Sequence, residues 1–241
     1  MSAVPPDVEV VPELAALGFL AYTTTRAFGS LGTGTEEPVR QVMARWQVVT
    51  TELEARGVPR LATATQVHGR EVITHEGRWR GWLRAPGADG HACPAAPATA
   101  VAVTVADCVP VFLAHRSGAM ALLHSGWRGT EARIVEAGIL ALGTMGCPAD
   151  ELVMHLGPAI CGGCYEVSPD VHERLTGHRV DRPTPVDLRA LIATHAASCG
   201  VRSISTSPWC TRCHNGRFFS HRAGDTGRQI SLMAPQVSGF A

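Results

Sequence analysis

The sequence of 241 residues contains no lysine, because all 21 of its basic residues are arginine. This absence excludes catalysis through a lysine Schiff base and the lysine-dependent phosphate loop of P-loop nucleotide-binding proteins. A bound phosphate must therefore be held by arginine, by backbone N–H groups or by a metal. The 21 acidic residues balance the arginines, so no long-range positive field attracts nucleic acid or an anionic membrane. We expect a small-molecule ligand and no nucleic-acid or membrane partner. No protein partner can be inferred from the sequence.

Long hydrophobic runs and targeting signals are also lacking. No segment approaches the roughly 20 apolar residues that span a bilayer. The first residues, MSAVPPDVEVVPEL, lack the basic and apolar regions of a secretory signal peptide. We therefore expect a cytoplasmic protein. In that reducing compartment the eight cysteines are expected to be thiols or metal ligands rather than disulfides.

Apolar periodicity predicts strands that alternate with helices along the whole chain. The glycine-rich loop RAFGSLGTGT precedes a helix that we expect to begin near Thr35 and to end before Gly57. The stretch TAVAVTVADCVPVFLAH predicts two buried strands broken at 106–108, whereas GWLRAPGADGHACPAAPATA predicts a surface loop. A further helix is expected over 130–142. No composition break or internal repeat divides the chain, so we predict one α/β domain over residues 1–241.

Three potential metal ligands each follow a predicted strand. His68 lies in TQVHG, Cys108 in ADC and His124 in HSGWRG, and functional side chains of α/β proteins collect at such strand ends. Two histidines and a cysteine suit Zn²⁺, and three protein ligands leave the fourth tetrahedral position open, as in catalytic zinc sites. Each residue alone is also typical of a structural histidine or an inert buried thiol. The prediction of a catalytic zinc site therefore depends on all three together.

The segment HSGWRGT predicts a sharp turn from a strand into a helix. Gly126 and Gly129 allow the backbone and a substrate to approach closely. The free N–H groups of a helix that begins near Thr130 favour an anion. Arg128 can add bidentate contacts to phosphate, although a surface arginine or a carboxylate partner explains it equally well. We predict a phosphate site at this corner.

Five sequence blocks carry a resemblance to a known family. In order along the chain they are TQVHG, ADCVPVFL, HSGWRGT, GPAI..CYEV and CT...FFSHR...TGR. They resemble the signature blocks of the YfiH family, also called laccase-domain or multicopper polyphenol oxidase-like proteins, and they extend from Gln66 onward. The resemblance implies a layered α/β/β/α fold, which is similar to the catalytic domain of cytotoxic necrotizing factor toxins.

The resemblance also implies an activity and site residues. It implies Zn²⁺ bound by His68, Cys108 and His124, phosphorolysis of adenosine, inosine, guanosine and methylthioadenosine, and deamination of adenosine. The expected partners are thus a purine nucleoside and phosphate. Some members are described as peptidoglycan editing factors, so editing of peptidoglycan precursors is an alternative function. Cys108 and Asp107 are the predicted catalytic residues; Asp107 is either an acid/base or, as we favour, a carboxylate that orients a metal ligand.

Three further arginines match family positions that are expected to face the substrate, namely Arg26, Arg222 and Arg228. Salt bridges that fix the C-terminal segment explain them equally well. The sequence departs from the family at Ala223, where a second arginine is often found, and in TGTEEPVRQVMARW, which lacks an expected asparagine. The resemblance therefore supports the range of substrates less directly than it supports the metal site.

Two other enzyme classes would use parts of the same constellation. Copper polyphenol oxidation needs the dense HxH and HCH motifs of a multicopper oxidase, and the 11 histidines form neither. A metal-free hydrolase would use Cys108 as the nucleophile and His124 as the base. We favour the zinc enzyme over both. Elemental analysis and inactivation by iodoacetamide distinguish it from the thiol enzyme.

Two other motifs give weaker signals. Cys161-x-x-Cys164 and Cys210-x-x-Cys213 form a pair of CxxC motifs, which a structural zinc site would use. The two halves are far apart in the chain, and Cys164 and Cys210 lie in the family blocks without that role, so the sequence does not favour a second zinc. The loop GSLGTGT lacks the GxGxxG pattern of nucleotide-binding loops, and a flexible loop explains it better.

Overall fold

Two six-stranded sheets form the centre of the structure, a computed structural model in which residues 8–77 and 79–237 are described. The strands are β1 (Val8–Val10), β2 (Phe19–Thr24), β3 (Arg60–Ala64), β4 (Val72–Thr74), β5 (Gly81–Ala85), β6 (Gly90–Cys93), β7 (Ala100–Val105), β8 (Val109–Ala114), β9 (Met120–Ser125), β10 (Val153–Leu156), β11 (Glu166–Val167), β12 (Thr184–Pro185), β13 (Ser203–Thr206) and β14 (Gln229–Pro235). The helices are α1 (Pro12–Ala15), α2 (Val39–Ala55), α3 (Trp127–Glu131), α4 (Ile134–Thr144), α5 (Pro169–Thr176) and α6 (Leu188–Ser198).

The chain crosses repeatedly from one sheet to the other. The first sheet has the strand order β1-β2-β14-β7-β3-β5, and the second has the order β13-β10-β8-β9-β6-β4. Strands β3 and β7 of the first sheet are therefore followed directly by β4 and β8 of the second. Strands β3 and β7 are parallel neighbours, so both crossings leave the first sheet at the same end. This topology places the two connecting turns side by side.

Three apolar layers hold the elements together. Between the sheets, side chains such as Val101 and Val103 of β7 pack with Phe112 of β8 and Leu122 of β9. Alternate residues of the same strands face outward, so α2 covers the first sheet and α4 and α6 cover the second. Strands covered on both faces must be apolar at successive positions, which explains the continuous valine-rich runs. The layered α/β/β/α fold predicted by the resemblance is confirmed.

The prediction of a surface loop over 81–100 is wrong. The structure forms β5 and β6 there, and β6 is buried between β4 and β9. Gly90 shows why small residues are needed in this strand, since an added Cβ would lie 2.7 Å from side-chain atoms of both Val72 and Leu123. Glycine and alanine thus permit close strand packing here, although they are typical of loops.

Two predicted helix boundaries also need correction. Helix α2 begins at Val39, after Pro38, and not near Thr35. The helix expected over 130–142 is divided, because α3 begins earlier, at Trp127, and Arg133 has a left-handed backbone with φ 60° before α4 starts. Within residues 8–77 and 79–237, no helix is both long and apolar enough to cross a membrane. The single domain over 1–241 stays a prediction.

Candidate metal centre and its cavity

The two crossings between the sheets bring the predicted metal ligands together. His68 lies in the turn from β3 to β4, and Cys108 lies in the turn from β7 to β8. His124 is on β9, opposite Pro110 of the neighbouring strand β8. Residues that are far apart in sequence thus meet at one end of the two sheets because of the strand order.

The geometry of the three side chains fits a metal site. Their ligand atoms all lie within 4.8 Å of one another, and His68 is exposed, Cys108 half-buried and His124 buried. The two imidazole rings are nearly perpendicular, at 80°, with centroids 4.9 Å apart. A tetrahedral zinc has bonds of about 2.3 Å to sulfur and about 2.0 Å to nitrogen, so its donors lie less than about 4 Å apart. One thiolate and two imidazoles suit zinc, and at most a small adjustment is needed to bind it.

Asp89, which was not predicted from the sequence, contacts both histidines. Its Oδ1 atom lies 2.8 Å from Nδ1 of His124, which leaves Nε2 of that ring for a metal. The carboxylate also accepts hydrogen bonds from the backbone N–H groups of His68, at 3.0 Å, and Gly69, at 2.7 Å. Burial alone would raise the pKa of Asp89, but the hydrogen bonds from His124 and Gly69 outweigh it and lower the pKa. Asp89 is therefore a charged group that fixes two ligands.

Asp107 directly precedes Cys108 in the turn from β7 to β8. Its Oδ1 atom accepts a hydrogen bond of 2.6 Å from the Thr211 hydroxyl, and its Oδ2 atom accepts one of 2.7 Å from the backbone N–H of Arg222. Its backbone is left-handed, with φ 82°, a conformation that costs roughly 1–3 kcal/mol and needs such contacts to hold it. Asp107 thus fixes the turn that carries Cys108, whereas Asp89 contacts the two histidines. A catalytic role for Asp107 stays a prediction.

Without a metal, Cys108 and His124 form a charged pair. Burial alone would raise the pKa of the Cys108 thiol, but the charge and hydrogen bond of His124, together with a hydrogen bond from His68, lower the pKa to about 6. Burial would likewise lower the pKa of His124, but the Cys108 charge and the Asp89 hydrogen bond raise the pKa to about 9. At neutral pH the sulfur is therefore a thiolate, which is the form that binds metals.

Gly126 lies directly against two of the ligands. An added Cβ would lie 2.9 Å from Sγ of Cys108 and 3.4 Å from Cδ2 of His68. At Gly129 an added Cβ would lie 3.2 Å from the backbone oxygen of Gly69. Both positions therefore need glycine, because the backbone there lies close to the loop that carries His68. At Gly126 the backbone also lies close to Cys108.

We expect Gly126→Ala to lower zinc affinity by about 10- to 100-fold, the range seen when groups that support metal ligands are altered. The new methyl group would force Cys108 Sγ away from the histidines. Competition with a chromophoric chelator measures this affinity. Gly143→Ala is the matched control, because an added Cβ at Gly143, in α4, meets nothing within 4 Å. Equal affinity in the two variants would contradict the close contact at Gly126.

A cavity of about 530 Å³ opens beside the ligands, and His68, Cys108 and His124 are in its wall. Trp46 and Trp82 form another part of the wall, with ring centroids 4.5 Å apart and planes 28° apart. Each indole N–H is satisfied by the protein, Trp46 by the backbone oxygen of Leu31 and Trp82 by the hydroxyl of Thr63. The cavity therefore combines a candidate metal site with an aromatic surface.

Cationic side chains lie in the same cavity wall. They are Arg84 and Arg228, and His221 lies in the wall as well. Arg84 and His221 were not identified from the sequence, and a substrate contact of Arg228 stays a prediction. Arg84 is exposed, and Nη1 of Arg228 donates to the backbone oxygens of residues 225–227. These side chains give the cavity positive charge that favours an anionic ligand.

Three other predicted arginines are outside this cavity wall. The Arg26 guanidinium forms a salt bridge of 2.6 Å with Asp225 and lies over the Phe219 ring. This contact matches the alternative interpretation, in which Arg26 fixes the C-terminal segment. Arg128 is exposed over the ring of its neighbour Trp127, and Arg222 donates to the backbone oxygen of residue 166. Substrate contacts of Arg26, Arg128 and Arg222 stay predictions.

Comparisons with known proteins agree with this architecture. Residues 23–236 match the family profile described as multi-copper polyphenol oxidoreductase laccase. A purine nucleoside phosphorylase of Pseudomonas aeruginosa is 31% identical over 235 residues, which cover 88% of this chain and 92% of that protein. Adenosine deaminase RL5, from an unknown prokaryotic organism, is 35% identical over 136 residues, which cover 51% of this chain and 52% of that protein.

A solved structure shows the same fold. The crystal structure of the hypothetical protein YfiH from Bacillus licheniformis aligns with a TM-score of 0.84 at 22% identity, covering 96% of this chain and 97% of that chain. The family profile covers all three candidate ligands and the strands that carry them. On this evidence the chain belongs to the YfiH family, whose profile is described as multi-copper polyphenol oxidoreductase laccase.

Proposed function

We propose that this protein is a cytoplasmic, zinc-dependent purine nucleoside phosphorylase that also deaminates adenosine. The observation that carries the proposal is the meeting of His68, Cys108 and His124, with ligand atoms within 4.8 Å of one another, in the wall of a cavity of about 530 Å³. The names of the two relatives, a purine nucleoside phosphorylase and an adenosine deaminase, support the reaction class. We extend the proposed substrates to inosine, guanosine and methylthioadenosine.

Zinc suits the donor set better than copper does. A blue-copper site also uses two histidines and a cysteine, but it adds a weak axial methionine or glutamine. Among the described residues the cavity wall contains no methionine, and the amide of its glutamine, Gln66, bonds to Thr104. The described parts of the chain hold one other group of candidate ligands, and it consists of four cysteines and no histidine. When bound at His68, Cys108 and His124, zinc would supply Lewis-acid catalysis through its open position.

The cavity offers separate surfaces for the two reactants. In phosphorolysis an oxygen of phosphate replaces the purine nitrogen at C1′ of ribose, and the products are the free base and ribose 1-phosphate. The aromatic wall of Trp46 and Trp82 suits the flat purine ring. Arg84 and Arg228 suit phosphate, since guanidinium groups bind its oxygens in pairs. Holding both reactants in one enclosed site reduces the entropic cost of their reaction.

The predicted phosphate corner at Gly126, Arg128 and Gly129 remains part of this proposal. Gly126 brings the backbone close to Cys108 and His68, so an anion near the corner would also be near the metal. Helix α3 has only five residues, and its dipole contributes little. We therefore assign most of the phosphate binding to the arginines of the cavity wall.

The direct test is chromatography of inosine and adenosine after incubation with the purified protein, with and without phosphate. We expect free base and ribose 1-phosphate only when phosphate is present, and inosine from adenosine in its absence. Zinc removal should abolish both reactions, and added zinc should restore them. Activity that survives complete zinc removal, or no reaction with any purine nucleoside, would refute the proposal.

A specific observation also favours the second candidate, a metal-free thiol hydrolase. Cys108, His124 and Asp89 form a relay in which the carboxylate bonds to one ring nitrogen and the thiolate pairs with the imidazolium. Cysteine hydrolases use this arrangement of nucleophile, base and orienting group. Bound zinc would block this chemistry because it occupies the sulfur.

We expect iodoacetamide to alkylate Cys108 of the zinc-free protein with a midpoint near pH 6, because its lowered pKa leaves the thiolate present above about 6. Mass spectrometry of protein treated between about pH 5 and pH 9 measures this profile. Cys199 is an internal control, since burial raises its pKa above the ordinary value of 9.0. A Cys108 profile like that of Cys199 would contradict the charged pair. Hydrolytic activity that is highest without zinc would support the thiol enzyme instead of the phosphorylase.

A further inference from the structure

Four cysteines meet at a second place in the fold, outside the cavity. Cys161 and Cys164 lie at a short 3₁₀ turn after β10, and Cys210 and Cys213 lie in the turns after β13. Each pair that meets, Cys161 with Cys210 and Cys164 with Cys213, is separated by 49 positions in the chain. The four Sγ atoms nevertheless all lie within 4.8 Å of one another. The two motifs are far apart in the chain, which is why a second zinc site was not favoured from the sequence. They meet in the fold because β10 and β13 are parallel neighbours, so the segments that follow these strands start at the same end of the sheet.

Backbone contacts shape this cluster around its sulfur atoms. Cys210 Sγ accepts hydrogen bonds from the backbone N–H of Cys161, at 3.3 Å, and from that of Cys213, at 3.4 Å. Within the first motif, the backbone N–H of Cys164 donates to the oxygen of Cys161 at 2.9 Å, which closes the turn. Two N–H donors aimed at one sulfur stabilise a thiolate, since hydrogen bonds to a charged form favour that form.

The sulfur spacing agrees with a tetrahedral ion. Around zinc with bonds of about 2.3 Å to sulfur, neighbouring sulfurs lie about 3.8 Å apart. Cys164 Sγ and Cys213 Sγ are 3.4 Å apart, and all eight cysteines of the chain are free thiols. Arg212, inside the second motif, donates from Nη1 to the backbone oxygen of Cys164 at 3.2 Å. Its positive charge thus lies beside the cluster and offsets the charge of several thiolates.

We propose that Cys161, Cys164, Cys210 and Cys213 bind a structural zinc ion through four thiolates. Binding forms four zinc–sulfur bonds and releases to solvent the protons of those cysteines that were still protonated. Four protein ligands close the coordination sphere, so this ion has no open position for a substrate. Its role is to join the two turns, and it takes no chemical part in the reaction in the cavity.

The joined turns support the candidate active site from behind. Thr211, next to Cys210, donates the 2.6 Å hydrogen bond to Asp107, which precedes Cys108. Tyr165, next to Cys164, lies under the Arg222 guanidinium at 4.9 Å, and the backbone N–H of Arg222 bonds to Asp107 as well. A zinc ion at the cysteines would therefore hold both segments that fix the Cys108 turn.

The test is the number of zinc atoms per full-length chain, measured by inductively coupled plasma mass spectrometry on protein purified without chelator. We expect two in the native chain and one in the Cys161→Ser/Cys213→Ser variant. A His68→Ala/Cys108→Ala/His124→Ala variant should also keep one, because it retains the four cysteines. Cys199→Ser, which removes a cysteine outside both clusters, should keep two.

A second measurement needs no variant. Titration of the native chain with an organomercurial should release one zinc in step with the modification of four thiols, and peptide mapping should assign those thiols to the two CxxC motifs. No zinc in the native chain, the same zinc content in the Cys161→Ser/Cys213→Ser variant as in the native chain, iron in place of zinc, or a disulfide within the cluster in the purified protein would overturn the proposal. A lack of phosphorolysis with two zinc atoms bound would refute the proposed function and leave this site standing.

Discussion

Cys108→Ala is expected to release the zinc held with His68 and His124 and to abolish phosphorolysis of inosine. The substitution removes the only sulfur of the ligand set and leaves two imidazoles, which are too few for a catalytic zinc site. Loss of a direct ligand should lower zinc affinity by more than the roughly 100-fold that supporting groups account for. Zinc content should fall by one per chain, and kcat/KM for inosine should fall below detection.

The control for this variant is Cys199→Ala, which removes a partly buried thiol outside both cysteine-containing groups. It should keep its zinc content and its activity. Circular dichroism should show that both variants retain the native secondary structure. Full phosphorolysis by the Cys108→Ala variant would refute the assignment of the catalytic site.

Leu142→Ala is expected to lower the free energy of unfolding by about 2–5 kcal/mol, the usual cost of removing a buried leucine side chain. Leu142 is fully buried, with 0% of its surface exposed, in the apolar layer between α4 and the second sheet. That layer includes Leu123, which precedes His124 on β9. Urea unfolding followed by circular dichroism measures the change.

Leu140→Ala is the matched control, because Leu140 lies on the same helix but is 70% exposed. Its substitution should change the free energy of unfolding by less than about 0.5 kcal/mol. Similar losses in the two variants would show that α4 does not bury the face seen in the structure. A small effect of Leu142→Ala alone would contradict the described packing of this layer.

The sequence was sufficient to select His68, Cys108 and His124 as candidate ligands because each one stands at the end of a predicted strand. The breaks at His68 and Cys108 are visible as small or polar residues between β-branched runs. The sequence did not show that both breaks are crossings between sheets. That follows from the strand order, which depends on pairing between distant segments, such as β3 with β7.

The missed residues have a common physical reason. Asp89 lies in a stretch of glycine, proline and alanine that is typical of loops, and only its burial beside β6 and β9 gives it a role. The feature of the sequence that could have indicated Asp89 is that it is a carboxylate in a segment with little other charge. Arg84 and Trp82 were missed because β5, which carries them, was predicted to be loop. The cysteine cluster was undervalued because the parallel pairing of β10 with β13 cannot be read from spacing.

The break between α3 and α4 illustrates a limit of helical periodicity. The apolar residues Ile134, Val135, Ile139 and Leu142 keep a helical spacing, so the pattern predicts one helix. Arg133 nevertheless adopts a left-handed backbone, with φ 60°. This conformation allows α3 to pack against the turn of His68, at Gly129, while α4 packs along the second sheet. Local propensity is overridden here by the need to cover two surfaces.

Anomalous diffraction at the zinc absorption edge will show whether His68, Cys108 and His124 together hold one zinc ion at the cavity. We expect a zinc peak about 2.3 Å from Cys108 Sγ and about 2.0 Å from one nitrogen of each histidine. A structure of active protein with no anomalous peak between these three side chains would contradict this expectation.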